Sequence, residues 1–275
     1  QSALGGGEAA GAQSPGNGLG ADLDAGIDTL LKAGRADALR DKSGEAAQTA
    51  IEELIAERAR ARERIAADEA ALYRQKGAFA FLHDTHAAMD AYARAVELDP
   101  DDPEGWNELG KLQLRTGALD AAIDSFERVL ALGNKLADKK WEAIATGNLG
   151  LIYKTRGELD RAEAMHKRQL ELAKEIGSKE GETLATSGLA LVFQARGELD
   201  RAIEYHERDL DLSEELGSRE GQSRATGNLG GIYLTRGELD RAEAMHLKGL
   251  QIDEELGGKE GLASSNGNLR RIDRT

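Results

Sequence analysis

The sequence predicts an all-α solenoid, and three observations carry that prediction. Three blocks are near copies at a spacing of 40 residues: GNLGLIYKTRGELDRAEAMH over Gly147–His166, SGLALVFQARGELDRAIEYH over Ser187–His206, and GNLGGIYLTRGELDRAEAMH over Gly227–His246. A fixed period in this range marks a solenoid, a propeller or an array. The string RGELDRA recurs unchanged at Arg156–Ala162, Arg196–Ala202 and Arg236–Ala242. The composition decides between those architectures: aromatic residues are 4% of the chain, prolines number three, and Ala, Leu, Glu and Arg dominate. These are helix formers, and a β-rich fold needs more aromatic and β-branched residues.

The elements follow in chain order. Residues 1–20 are mostly Gly, Ala, Ser, Gln and Asn, with Pro15. Such a composition buries too little surface to order itself, so this stretch reads as a disordered linker. Gly16, Gly18 and Gly20 lack the preceding strand and the following GK[ST] of a phosphate loop. Residues 21–68 read as a helical N-terminal region, with a short helix over 22–33 and a long one from about Gly44 to Leu82. Ile51, Ile65, Leu72 and Phe79 fall on a seven-residue register that Arg58 interrupts; Leu54, Ala61 and Leu82 form a second row broken by Asp68 and Gln75. Packing of this helix onto the first repeat is expected ahead of coiled-coil pairing, whose seam would need both rows intact.

Repeats begin near residue 69, with units near 69–102, 103–142, 143–182, 183–222 and 223–262 and a partial one at 263–275. In the third unit two antiparallel helices are predicted, roughly Lys140–Arg156 and Leu159–Ile176. Leu149, Ile152 and Tyr153 share one helix face, and Gly150 admits a close neighbour. Gly157, Gly197 and Gly237 sit where one helix ends and the next begins, a place for left-handed backbone. The acids after them favour the positive end of the next helix dipole. Six extra residues per 40-residue unit either lengthen the helices or add a turn. No unit buries its apolar face alone, so stability comes from stacking.

Trp106, Leu109, Gly110, Gly117, Ala122 and Phe126 spell W-x2-L-G, then Gly, Ala and an aromatic. This pattern resembles the tetratricopeptide repeat (TPR), and the step from Tyr92 to Phe126 is its standard 34 residues. The 40-residue variety, with NLG in the first helix and H-x3-L in the second, is similar to the repeats of kinesin light chains and of G-protein-signalling modulator scaffolds. The resemblance covers about residues 69–275. It implies a right-handed superhelix of antiparallel helix pairs, with the first helices lining a concave surface.

Several functions are disfavoured by the bulk numbers. A formal net charge of −14 argues against nucleic acid, whose phosphates need clustered Lys and Arg, and against anionic membranes. The absence of cysteine removes disulfides, thiolate catalysis and Cys-ligated metals. No apolar run approaches the ~18 residues of a membrane span, and a cytoplasmic location is the expectation. The start at Gln1 reads as a processed form or a fragment, and the end, where Arg270 and Asp273 replace the small and aromatic residues of the first helix, reads either as a polar cap or, ahead of that, as a cut inside the repeat.

No nucleophile elbow, HExxH or Walker motif occurs, and no enzyme or cofactor is expected. His166, His206 and His246 form a ladder, but equivalent residues in stacked helices are roughly 8–10 Å apart, and zinc needs ligands near ~2 Å from one point. Packing is the reading, since Phe126 and Tyr92 hold the same inward position. The groove is the remaining candidate: Asn107, Lys111, Asn148, Lys154, Gln194, Arg224, Asn228 and Asn268 are placed on its exposed face. Asn148, Asn228 and Asn268 are equivalent, with Gly188 breaking the series. They would hold either the backbone of an extended peptide or a neighbouring helix. Gly147, Ser187, Gly227 and Gly267 stand where the basic residues of a carboxylate clamp would be needed, and would open room for partner side chains.

The expected function is therefore a non-catalytic scaffold that binds a peptide or helix of a protein partner. The alternatives are self-association through the N-terminal helix or the C-terminal end, and an adaptor or sensor part of a larger signalling protein.

Overall fold

The structure, a computed structural model, describes residues 44–257. The linker at 1–20, the helix at 22–33, the partial unit at 263–275 and Asn268 lie outside the described residues. Two compact units divide between Glu69 and Ala70. Among the described residues there are helices and no strands. They are α1 Gly44–Ala80, α2 Thr85–Leu98, α3 Pro103–Arg115, α4 Leu119–Leu136, α5 Lys139–Thr155, α6 Leu159–Glu175, α7 Lys179–Arg196, α8 Leu199–Glu215, α9 Arg219–Arg236 and α10 Leu239–Leu256. From α3 onward they form helix hairpins, and the extra residues of the 40-residue repeats go into the helices: α5 to α10 have 17 or 18 residues, against 13 in α3.

Each helix boundary has a chemical cause. The first helix of each hairpin is capped by a side chain: Asp102, Asp138, Ser178 and Ser218 accept from the free backbone N–H groups of the first turn. The second helices start without a side-chain cap, straight after a left-handed glycine such as Gly157 (φ 78) or Gly197 (φ 78). The Gly-Ser pairs at 177–178 and 217–218 divide the work between units, the glycine ending one helix and the serine capping the next. In the earlier unit Ala137 takes the left-handed role at φ 52.

RGELDRA is a stacking device. Its first arginine reaches back to the preceding hairpin: Arg156 to Asp120, Arg196 to Asp160 at 2.5 Å, and Arg236 to Asp200 at 2.5 Å. Its glutamate pairs with its second arginine, as in Glu158–Arg161 at 2.6 Å and Glu198–Arg201 at 2.7 Å. That arginine lies over the aromatic ring of its own first helix, Arg161 on Tyr153, Arg201 on Phe193 and Arg241 on Tyr233. The closing Ala162, Ala202 and Ala242 are completely buried.

Inside each hairpin a small residue faces a ring sixteen positions later. A methyl group on Gly110 would come within 2.9 Å of Phe126, on Gly150 within 2.7 Å of His166, and on Gly230 within 2.6 Å of His246. The histidine ladder is packing, with His166, His206 and His246 all buried.

From Ala70 on, α1 is itself the first helix of the first repeat, and it packs there with a different face from the seven-residue row. Ala70 is buried, Arg74 pairs with Asp102, and Gly77 lies against the Tyr92 ring. Leu72 and Phe79 are left 64% and 81% exposed. The close approach required by Tyr92 selects the face that carries alanine and glycine. The larger apolar side chains of the row are turned out.

Candidate functional site

The first helices α5 and α7 line a groove of about 520 Å³, with α6 beneath and Arg224 of α9 at one side. Its walls are built on heptad pairs: Ile144 and Leu151 on α5, Leu184 and Leu191 on α7. These positions are off the buried stripe of α5, which runs through Ala145, Leu149 and Ile152. Leu151 and Leu184 therefore stand 40% and 59% exposed. Three cations border the apolar walls, Lys140 and Lys154 on α5 and Arg224 on α9, together with the acid Glu180.

Of the residues expected here, Asn148, Lys154 and Arg224 line the groove. Asn148 is half-buried and donates its amide N–H to the carbonyl of Ile144 at 3.1 Å, so its helix uses part of its hydrogen-bonding capacity. Gln194 is exposed, Asn228 is half-buried, and neither lines this groove. Lys111 is held by Glu108 at 2.7 Å on α3.

Asn107 departs from the expectation of an exposed position. It is buried to 4% exposure and donates to Glu108 at 2.9 Å. Its repeat equivalents, 40 residues apart, are Gly147, Ser187 and Gly227, and this layer faces the second helix of the same hairpin. A methyl group on Gly147 would meet the Gln169 amide at 2.5 Å, whereas at Gly227, opposite Gly249, nothing lies within 4 Å. Small residues here thus do not all open room for a partner. At Gly147 the room belongs to Gln169. The repeat equivalent of Gln169 in the hairpin of Asn107 is the shorter Val129.

Gly188 breaks the asparagine series for a physical reason. Any side chain there would come within 2.5 Å of the His166 ring, which packs across the seam between α6 and α7. His166 Nδ1 and Gln169 Oε1 are 3.1 Å apart. Burial lowers the pKa of His166, and the Gln169 bond partly opposes this.

The equivalent seam between α8 and α9 is built differently. Asp209 replaces Gln169 and is wholly buried. One carboxylate oxygen lies 3.5 Å from Arg224, and the other has no hydrogen-bond partner. Burial pushes this carboxyl up, against the pull of Arg224 and of the Ser187 hydroxyl. Neither ring nitrogen of His206, one turn earlier, has a partner. Burial, aided by the charge of Arg224, lowers the pKa of His206 to about 4.

The residues that sequence reasoning missed are the apolar wall and Asp209. The wall had a signal: apolar residues seven apart, offset by one position from the core stripe. Asp209 had one too, an acid where the repeat places Gln169 and Gly249. Among the described residues, no group of three His, Cys, Asp or Glu side chains is placed to hold a metal ion, and no helix is long and apolar enough to cross a membrane.

Comparison with known proteins agrees with the repeat geometry. The profile described as tetratricopeptide repeat matches residues 103–175 and 182–255, and a TPR repeat profile matches 84–117. These matches span more than half of the chain. No curated protein matches it in sequence. Among solved structures, the MamA protein is similar at 25% identity and a TM-score of 0.51, over 70% of this chain and 96% of that one. BtubC (BKLC) from P. vanneervenii is similar at 22% identity and TM-score 0.58, over 85% and 91%. A kinesin light chain-like protein of Podosopora anserina, with nearly identical TPR-like repeats, is similar at 16% identity and TM-score 0.55, over 72% and 99%.

Proposed function

This chain belongs to the tetratricopeptide-repeat family, whose repeats mediate protein–protein interaction, and from that premise we propose that it is a non-catalytic scaffold holding a segment of another protein in the groove between α5 and α7. The observation that carries the reading is the pair of heptad walls, Ile144 with Leu151 and Leu184 with Leu191, in which Leu151 and Leu184 are exposed and the other two half-buried. Apolar side chains left in water on two adjacent helices mark a docking surface, and covering the exposed part of Leu151 and of Leu184 contributes about 1 kcal/mol each. The border of Lys140, Lys154 and Arg224 stands out on a chain of net charge −14. It favours a partner segment that combines apolar side chains with carboxylates.

A peptide-display selection on the intact chain tests this. Peptides recovered by the wild type should carry spaced apolar residues beside acids, and should lose at least tenfold in affinity to Leu151→Ser plus Leu184→Ser with helicity unchanged. Recovery of peptides that bind both proteins equally would rule the groove out.

A second reading, self-association, is favoured by the exposed row Ile65, Leu72 and Phe79 on α1. It predicts a molar mass that climbs with concentration in light scattering and returns to 29.5 kDa with Leu72→Glu plus Phe79→Glu.

A further inference from the structure

Arg224 and Asp209 are foreign to the repeat in which they stand. At the position of Arg224 the two preceding units have Ile144 and Leu184, and at the position of Asp209 the neighbouring units have Gln169 and Gly249. Stacking of the helices therefore needs neither charge. Yet the two meet: Asp209, wholly buried on α8, has the guanidinium of Arg224 at 3.5 Å. Arg224 is itself exposed and borders the groove. A buried carboxylate is tolerated only while a counter-charge or hydrogen bonds hold it. Here the counter-charge sits on a side chain that an incoming ligand also reaches.

A replacement partner is already in the seam. His206 precedes Asp209 by three positions on α8, so their side chains share a face. The same spacing in the preceding hairpin gives the bond between His166 and Gln169, at 3.1 Å. In the α8–α9 seam that bond is absent. Both imidazole nitrogens and one oxygen of Asp209 are unpartnered while Arg224 occupies the acid.

We propose that Arg224 is shared between Asp209 and a carboxylate of the groove occupant, and that His206 takes Asp209 over when Arg224 turns to the ligand, so that filling the groove draws one proton into the seam. This rests on the groove being the binding surface. The proton comes from solvent and is held between the imidazole and the carboxylate, so the seam stays neutral after the cation leaves. The groups facing the pair are few. From α7 the uncharged Ser187 acts on Asp209, from α9 Arg224 acts on both Asp209 and His206, and on α8 the two stand three positions apart. The ligand chemistry that fits is a carboxylate beside apolar side chains, bound more tightly as the solution becomes more acidic.

The test that needs no ligand uses the residue the repeat itself prefers, Arg224→Leu, which copies Leu184. The His206 ring and the Asp209 carboxyl are followed by NMR from pH 4 to 8 in the full chain. In the wild type His206 takes its proton only near 4; in Arg224→Leu the pair should hold a proton at pH 6 and above. Arg224→Leu with Asp209→Asn should bring the ring back to the low value. A midpoint unmoved within 0.5 pH by Arg224→Leu overturns the proposal. The ligand arm uses a groove peptide from the display selection, titrated calorimetrically at pH 6 in two buffers of different ionisation heat. About one proton should be taken up per peptide by the wild type and none by Asp209→Asn; equal uptake by both overturns it as well. A selection that recovers no groove peptide sinks the groove as the binding surface, and with it the ligand half of the proposal. The NMR result still decides whether Arg224 is what keeps His206 and Asp209 apart.

Discussion

The seams at His166 and at His206 occupy the same layer of successive repeats and treat buried polarity in opposite ways. At His166 an imidazole and an amide satisfy one another across 3.1 Å, and Gly188 of the next hairpin lies flat on the ring. At His206 the amide has become Asp209, the ring is bonded to nothing, and Asn228 replaces the glycine. A neutral hydrogen-bonded pair is complete in itself, whereas a buried carboxylate needs a third group. The next hairpin supplies one by exchanging an apolar groove position for Arg224. A repeat protein can thus host a buried charge in one seam without altering the others, because each hairpin touches only its neighbours. That locality makes the two seams separable by experiment.

The largest expected effect is steric and belongs to the first seam. Gly188→Leu drives a side chain into the His166 ring, where even a methyl group would come within 2.5 Å. Because α7 is held on both sides, relief requires moving its backbone, and a loss of about 3 kcal/mol is expected in urea unfolding. The contrasting change is Gly227→Ala, where nothing lies within 4 Å. There the better helix former should stabilise the chain by about 0.5–1 kcal/mol. Equal responses at the two glycines would mean that the approach to the His166 ring is not what decides the cost at Gly188.

The second effect separates the seams by pH. Folded His206 takes a proton only near 4, while the same ring in the unfolded chain does so near 6.5. Between these values the unfolded state binds more protons, so the stability present above pH 6.5 is lost as the pH falls towards 4. Over that window the loss from this ring is about 3 kcal/mol. His166 and His246 shift in the same direction. Asp209 has the opposite sign: its raised pKa stabilises the fold at low pH, and that contribution fades as the pH rises through the folded value. His206→Phe installs the residue found at the equivalent Phe126. It should flatten the acid side of the stability profile, measured as melting temperature from pH 7 to 4.5. His166→Phe should flatten it less, since the Gln169 bond already favours protonation of that ring.

Much of this was legible in the sequence. The 40-residue period, the glycines at 157, 197 and 237 and the small residue at the Gly150 position are rules repeated three times, and repetition makes them readable. The groove was half legible. Asn148, Lys154 and Arg224 were placed on it by their helix face, but its apolar walls were not. Leu151 and Leu184 are indistinguishable in type from core leucines, and only their place one position before the buried Ile152 and Ala185 tells them apart. Asn107 was misplaced because it stands in the layer of Gly147, Ser187 and Gly227, one position before that of Asn148, and is buried. Asp209 was hidden for another reason. An acid in a helix with so many acids reads as solvated until the neighbouring hairpin is laid over it.

The smallest effect lies at the edges of the same two seams, where the arginine of RGELDRA bridges consecutive hairpins. Across the His166 seam, Arg196 pairs with Asp160 and with the largely buried Glu163, and its side chain is 18% exposed. Across the His206 seam, Arg236 meets Asp200 alone in the preceding hairpin, with a side chain 34% exposed, because Ile203 stands where the earlier unit has Glu163. Exposed ion pairs contribute at most about 1 kcal/mol, and networks with a sheltered member contribute more. Arg196→Met should therefore cost about 1 kcal/mol and Arg236→Met roughly half of that or less. The cost of the second should largely vanish in 1 M salt, where the screening length falls to about 3 Å, and the first should survive in part because Glu163 is shielded from the ions. If both variants lose the same stability and respond equally to salt, then the bridges act as independent surface pairs. The seams would then differ only in their buried layer, at Gln169 and Asp209.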